Sequence, residues 1–440
     1  MGGIHRIPKK DLKFGALIKV LRDEVLKIPD TRIPERTRYS LTDIYLSAFA
    51  LFFFQDPSLL EFQRRCQQQL QINNLLTVFG VDAIPSDTQL RNMIDEHENG
   101  PIREVFRQYF YRLQRGKQLE SYRFLENSYL VVIDGSEYFT SESISCKKCL
   151  RKSNKNGEII RYYHQILQGT LVHPDKREVI PLAPEFIRNE DGTEKQDCEL
   201  NAGKRLVHTI KKDHPHLPIV IVGDSLYSKT PFLRELKDCG FSYLLVAKPK
   251  DHKSLYKDIT GMRDGGLLDT YIVKDKNGRE YVYEWINGVD LTVQPDSPQV
   301  NYCSLTIRRN GKVTFTNGWI TDIDITQENI EAVVQAARAR WKIENEGFNT
   351  LKNHGYHLEH NFGHGTNNLS ETFFLLNLLA FFFHQIFQLS DGLYQKTRNN
   401  FSARKEFWNC IRSTFRLFIV LSWEELLERI NGPPVQIIKP

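Results

Sequence analysis

The hydrophobic period of this chain changes near residue 126, and that change constrains the fold more than any other feature. SYLVVIDG (128–135), LPIVIVGD (217–224) and FSYLLVAKP (241–249) are short, continuous apolar runs bounded by polar residues. Runs of this length and bounding read as buried strands rather than helices. YYHQILQGTLV (162–172) alternates and reads as a further strand, and CELNAGKRLVHTIKKDH (198–214) as an amphipathic helix. Strands interleaved with helices predict an α/β sheet whose site lies at the strand ends.

The rest of the chain is organised around this core. Upstream, Ser40 with Asp43 predicts a capped helix through YLSAFALFFF (45–54), and Pro85-Ser86-Asp87 opens another. IREVFRQYFYRLQRG is a third. Downstream, TYIVKDKNGREYVYEW and CSLTIRRNGKVTFTNGWITD are hairpins with Asn-Gly turns. Thr326 is then expected to cap one long helix, QENIEAVVQAARARWKIENEGFNTLKN. The expected units are a helical region 1–120, a first core segment 121–254, a β-rich insertion 255–322, a completing segment 323–385 and a helical end 386–440. The apolar runs 45–54 and 373–383 fall short of the roughly 20 residues a bilayer demands and are expected to be core helices.

Charge points toward nucleic acid without proving it. The net charge is +5, and residues 1–40 alone carry ten basic side chains (Arg6, Lys9, Lys10, Lys13, Lys19, Arg22, Lys27, Arg32, Arg36, Arg38) against five acids. Such a surplus is either a solvated helical face or a DNA-contacting arm. Seven cysteines in 440 residues make no disulfide scaffold and fit a reducing compartment. MGGIHRIPKKDLKF lacks the apolar segment of a secretory signal, and a cytoplasmic location is expected.

Three acids stand out by context. Asp134 is expected to end one apolar strand, Asp224 another, and Glu344 follows on the long helix. A carboxylate at a buried strand end is costly unless paired or metal-bound. Three together form an all-oxygen site suited to Mg²⁺ or Mn²⁺, and two such ions can drive phosphodiester chemistry. On a regular helix Glu344 and Glu346 lie about 200° apart, so one faces the site and the other solvent. Glu344 shares its face with Arg340, while Glu346 is expected to pair with Lys342.

VVIDGS (131–136), IVIVGDSLY (219–227) and RWKIE (340–344), in that order and with a β-rich block before the last, resemble a DDE-type insertion-sequence transposase over roughly residues 80–385. The resemblance implies a ribonuclease-H-like mixed sheet flanked by helices. It implies catalytic and metal-binding roles for Asp134, Asp224 and Glu344, with Asp134 bridging two Mg²⁺ or Mn²⁺ ions. The implied partners are double-stranded DNA at terminal inverted repeats and at the target, the implied assembly a homodimer, and the implied setting a bacterial cytoplasm with no membrane association. Cut-and-paste transposition follows as the expected activity; a catalytically inactive DNA-binding descendant and a two-metal nuclease without strand transfer are the alternatives. The Tyr-Arg-Glu-Lys signature of this branch is only partly matched. Arg340 fits, Ala337 replaces the Tyr, Leu351 stands at the Lys position and Lys352 follows one residue late. Asp224-x-x-Tyr227 fits, although Leu226 stands where a small residue is usual. Arg340, Lys352 and Tyr227 are therefore expected DNA contacts.

Two further clusters remain open in the sequence. His354, His357, His360 and His364 suit DNA contact, bland surface or core positions, or a metal. Cys146-x-x-Cys149 with Cys198 and His164 makes a candidate structural zinc set. The basic segment around it, including Lys147, Lys148, Arg151 and Lys152, is expected to touch the DNA backbone.

Overall fold

The computed structural model describes residues 10–125, 127–189 and 196–432; Arg6 and Lys9 of the basic N-terminal set lie outside them. Among the described residues, twelve strands form one mixed sheet. In chain order they are β1 (Arg123–Phe124), β2 (Ser128–Ser141), β3 (Leu150–Ser153), β4 (Ile159–Val172), β5 (Ile180–Pro181), β6 (Glu185–Ile187), β7 (Ile219–Gly223), β8 (Ser242–Ala247), β9 (Asp269–Lys274), β10 (Arg279–Asp290), β11 (Gln299–Arg309) and β12 (Lys312–Thr321). The sheet order is β3-β4-β2-β7-β8-β12-β11-β10-β9. β2 is antiparallel to β4 but parallel to β7, and β7 is parallel to β8. The mixed α/β expectation is met.

The apolar runs become the centre of this sheet because every residue of β7 is buried, as a strand covered on both faces must be. The β-rich stretch does not stand apart. β12 pairs antiparallel with β8, from Gly318↔Ala247 to Thr321↔Leu244, so the hairpins lengthen the central sheet. At the β11–β12 turn Asn310 and Gly311 have φ of 51° and 75°, the left-handed pair that a two-residue hairpin demands.

Helices from the two ends of the chain share one core. Ser40 and Asp43 form the expected capping box, and the helix Leu41–Phe53 is buried over almost its whole circumference. It packs on the helix Leu369–Ser390. The Phe53 ring lies edge-on to Phe79, Phe383, Trp408 and Trp423, with centroids 5.1–5.6 Å apart. Edge-to-face geometry sets the positive rim of one ring against the negative face of the next. Leu369–Ser390 is long and apolar enough to cross a membrane by length and composition, yet nearly all of it is buried within the protein.

The expected single helix over 327–353 is broken. Thr326 does not cap it: Asn329 precedes the helix Ile330–Arg338, and the Asn329 side chain instead accepts from the Thr326 N–H. The chain then turns at Ala339–Arg340 and passes through a π-helical turn, Ile343–Phe348, into a short helix, Asn349–Asn353. A π turn rotates successive side chains by less than an α-helix does.

One carboxylate ties these elements together. Glu371, at the start of the core helix, is 1 % exposed. It accepts from Arg188 Nε and Nη2 at 2.7 and 2.8 Å, Lys148 Nζ at 3.2 Å and Asn99 Nδ2 at 2.9 Å. Burial pushes its pKa up, but Arg188 and Lys148 outweigh burial and hold it below the ordinary glutamate value. A depressed folded pKa gives stability that is present above the unfolded pKa and lost as pH falls through the folded one. Glu371→Gln is expected to cost about 2–4 kcal/mol at pH 7, with the gap to wild type closing below pH 4. Thermal unfolding across pH checks this, and an unchanged melting temperature at pH 7 would contradict it.

Candidate active site

The β2–β7 ladder brings the two aspartates together. Its last pair is Val132↔Val222, and Asp134 and Asp224 each lie two residues beyond their member of that pair. They stand at the same level, where the pairing of the two parallel strands ends. Asp134 does not end its strand, as expected from sequence, because β2 continues to Ser141 on the strength of its pairing with β4. What ends is its pairing with β7, and Asp134 marks that opening. The π-helical turn packs on β2 and carries Glu344, which is exposed.

Electrostatics report the same crowding. Burial pushes the Asp134 carboxyl up to about 6; Arg340 opposes that shift, while Glu199, Asp224 and Glu344 add their repulsion. Arg340 Nη1 stands 3.7 Å from Asp134 Oδ2, and its guanidinium lies over the Trp341 ring at 4.5 Å. Asp224 Oδ1 accepts from the Leu226 N–H at 2.8 Å, which orients the carboxylate as the chain leaves the sheet.

Sequence reasoning missed Glu199. It sits in the first turn of the helix Glu199–Asp213 and accepts from Tyr227 Oη at 2.8 Å and Gln165 Nε2 at 3.1 Å. A Cβ on Gly135 would stand 2.5 Å from Glu199 Oε2, so the glycine after Asp134 is what admits this fourth carboxylate. Burial raises the Glu199 pKa, the Tyr227 hydrogen bond lowers it and Asp224 raises it again. The signal available in sequence was Gly135, which follows Asp134 at the end of the SYLVVIDG run.

Several expected contacts are placed otherwise. Tyr227 is fully buried beneath the site, with its hydroxyl on Glu199, and cannot reach DNA. Glu346 pairs with Arg177 at 3.4 Å, not with Lys342, whose Nζ donates to the Lys176 carbonyl. Lys352 is held by Glu359 at 2.8 Å. Lys148 is drawn inward to Glu371, whereas Lys147, Arg151 and Lys152 are exposed. The four histidines separate: His354 and His360 are exposed, His357 is half-buried, and His364 is buried. Cys146, Cys149 and His164 do converge, but their fourth neighbour is His364; Cys198 is exposed ahead of the helix Glu199–Asp213.

A folded pKa raised above the ordinary 3.8 means that the folded protein gives up its Asp134 proton less readily than the unfolded chain. Stability is therefore lost as pH rises from about 4 to about 6. Without added divalent cation, Asp134→Asn is expected to stabilise the protein at pH 7 by at most about 3 kcal/mol, with no gain below pH 4. Thermal unfolding of both proteins at the two pH values checks this; equal stability at pH 7 would show that the folded protein does not hold the Asp134 carboxyl above its ordinary value.

No curated protein matches this chain. Residues 185–382 match the model of the family described as "Transposase DDE domain", a span that includes Glu199, Asp224 and Glu344 and begins after Asp134. This match supports reading the chain as a DDE-type insertion-sequence transposase.

Proposed function

We propose that this protein is a metal-dependent DDE transposase that cuts donor DNA at terminal inverted repeats and joins the freed 3′ ends to target DNA. The observation that carries the proposal is the shared level of Asp134 and Asp224 at the end of the β2–β7 ladder, with Glu344 beside them. The order β4-β2-β7-β8, antiparallel then parallel, supports a ribonuclease-H-like reading of the core.

The donor set fits hard divalent cations. The three side chains offer only carboxylate oxygens, and the repulsion on Asp134 is what a bound cation would relieve. Asp134, Asp224 and Glu344 would hold two Mg²⁺ or Mn²⁺. Two such ions would supply activation of water or a 3′-hydroxyl and stabilisation of the leaving oxygen. Glu199 buttresses the site through Tyr227 and Gln165. Arg340 offsets part of the Asp134 charge and is placed to turn to a phosphate once the carboxylates are occupied.

Two surfaces suit DNA. Lys147, Arg151 and Lys152 project near the edge of the sheet beyond the site. Beside the Glu344 turn, an open hollow of about 890 Å³ is lined by Arg177, His354, His357, Arg404 and Lys405, together with Asn345 and Glu346 of that turn. Trp341 and Leu226, 52 % and 40 % exposed, offer apolar surface for a sugar or base beside the acids. We place a homodimer on paired element ends, each subunit supplying one such site.

Asp134→Ala, Asp224→Ala and Glu344→Ala are each expected to reduce Mg²⁺- or Mn²⁺-dependent cleavage of an element-end duplex at least ~1000-fold while leaving duplex binding intact. An Asp134→Ala protein that still cleaves would sink the proposal, and cleavage without joining would make the protein a nuclease. Replacing Lys147, Arg151 and Lys152 together by Ala is expected to flatten the plot of log affinity against log salt by about 0.9 for each phosphate no longer neutralised. An unchanged slope would remove this segment from the interface.

A further inference from the structure

We propose that Cys146, Cys149, His164 and His364 form a tetrahedral structural zinc site, separate from the carboxylate site, that clamps the loop following Glu344 onto the sheet. Their four ligating atoms converge within 4.8 Å of one another. The Cys146 and Cys149 sulfurs are 3.8 Å apart, and His164 Nε2 is 3.5 and 3.4 Å from them. His364 Nε2 is 3.3 Å from Cys149 Sγ and 3.1 Å from His164 Nε2. Zn–S bonds of about 2.3 Å and Zn–N bonds of about 2.0–2.1 Å give tetrahedron edges of roughly 3.8 Å for S–S, 3.5 Å for S–N and 3.3 Å for N–N. The four atoms already stand near the corners of that figure.

The surroundings point the same way. The Gly365 carbonyl can only accept, so at 2.8 Å it takes the His364 Nδ1 proton and leaves a lone pair on Nε2 facing the cluster. The Cys146 N–H donates to Cys149 Sγ at 3.4 Å, and the Cys149 N–H to the Cys146 carbonyl at 3.2 Å, folding Cys-x-x-Cys into a knuckle with both sulfurs on one side. Cys149, His164 and His364 are buried, and Tyr138 and Phe139 lie against the imidazoles. Two thiolates balance a divalent cation, so the filled site carries no net charge into this interior. Four protein ligands leave no open position, which makes the site structural rather than catalytic.

The clamp joins distant segments of the chain. His164 lies on β4, Cys146 and Cys149 precede β3, and His364 comes 200 residues after His164 in the loop between Glu344 and the core helix. It also presents Lys147, between the two cysteines, to solvent.

Full-length protein purified under reducing conditions without added metal is expected to contain one zinc per chain by elemental analysis. Cys149→Ser and His364→Ala are expected to lose it. Cys198→Ser and Asp134→Ala are expected to keep it, the latter showing that the site does not depend on the carboxylate chemistry. Cobalt exchanged into the wild-type protein should give the visible absorption of a tetrahedral thiolate site, a readout that survives if a cysteine variant fails to fold. Folded wild-type protein with no stoichiometric metal, or with Cys146 and Cys149 joined as a disulfide, would overturn the proposal. So would zinc retained in Cys149→Ser or absent from Cys198→Ser.

Discussion

The buried Glu371 carboxylate is the point on which the rest of the architecture converges. Its partners come from three places: Asn99 before the helix Gly100–Arg115, Lys148 in the cysteine knuckle and Arg188 just after β6. A fully desolvated carboxylate is tolerable only with its charge matched and its lone pairs filled. Each partner therefore fixes the approach of one layer to the core helix. Asp95 repeats the device nearby, accepting from the backbone N–H groups of Thr366, Asn367, Asn368 and Leu369. The loop carrying His364 is thus held just upstream of the helix that carries Glu371.

Above this anchorage, the acidic site owes its shape to the difference between two ladders. β2 and β4 remain paired well past Asp134, while the pairing of β2 with β7 stops at Val132. The cleft that opens is floored by continuous sheet on one side and by departing chain on the other. Strand ends of this kind are where α/β sheets place ligands, because backbone and side-chain groups there are free of the ladder. The cost is visible in Asp134, whose pKa is raised first by burial and then by the neighbouring carboxylates. Arg340 meets some of it from a distance of 3.7 Å, longer than a direct hydrogen bond and short enough to matter electrostatically.

Local chemistry was well written in the sequence. The Ser40–Asp43 capping box, the Asn310-Gly311 turn and the buried runs around 131, 221 and 245 each declare themselves through short-range rules, and the structure follows them. Asp134, Asp224 and Glu344 could be picked out because their neighbours in sequence are apolar or characteristic. Long-range choices were not legible. Whether Lys148 faces DNA or Glu371, or whether Cys198 or His364 completes the cysteine cluster, depends on loops whose paths no local rule determines. The helical phase beyond Arg340 was misread for another reason. A turn at Ala339–Arg340 and a π turn after it alter the rotation per residue, and the Glu346 to Lys342 pairing inferred from a regular helix gives way to Arg177. Tyr227 was misplaced because an aromatic next to an acid reads equally as a contact or as a floor.

The sharing of one core by the two ends of the chain bears on synthesis. Leu41–Phe53 packs not only on the nearby helices Phe14–Val25 and Asp87–Glu96 but also on Leu369–Ser390, far downstream in the chain. An emerging polypeptide therefore cannot complete the burial of this helix until Leu369–Ser390 has left the ribosome, and such non-local closure is slow. Glu344 arrives in the same late interval, shortly before the core helix. Acquisition of the complete acidic cluster and consolidation of the interior become one event in time. A prematurely terminated product would hold two aspartates at a strand end and neither the third acid nor the scaffold to keep them in place.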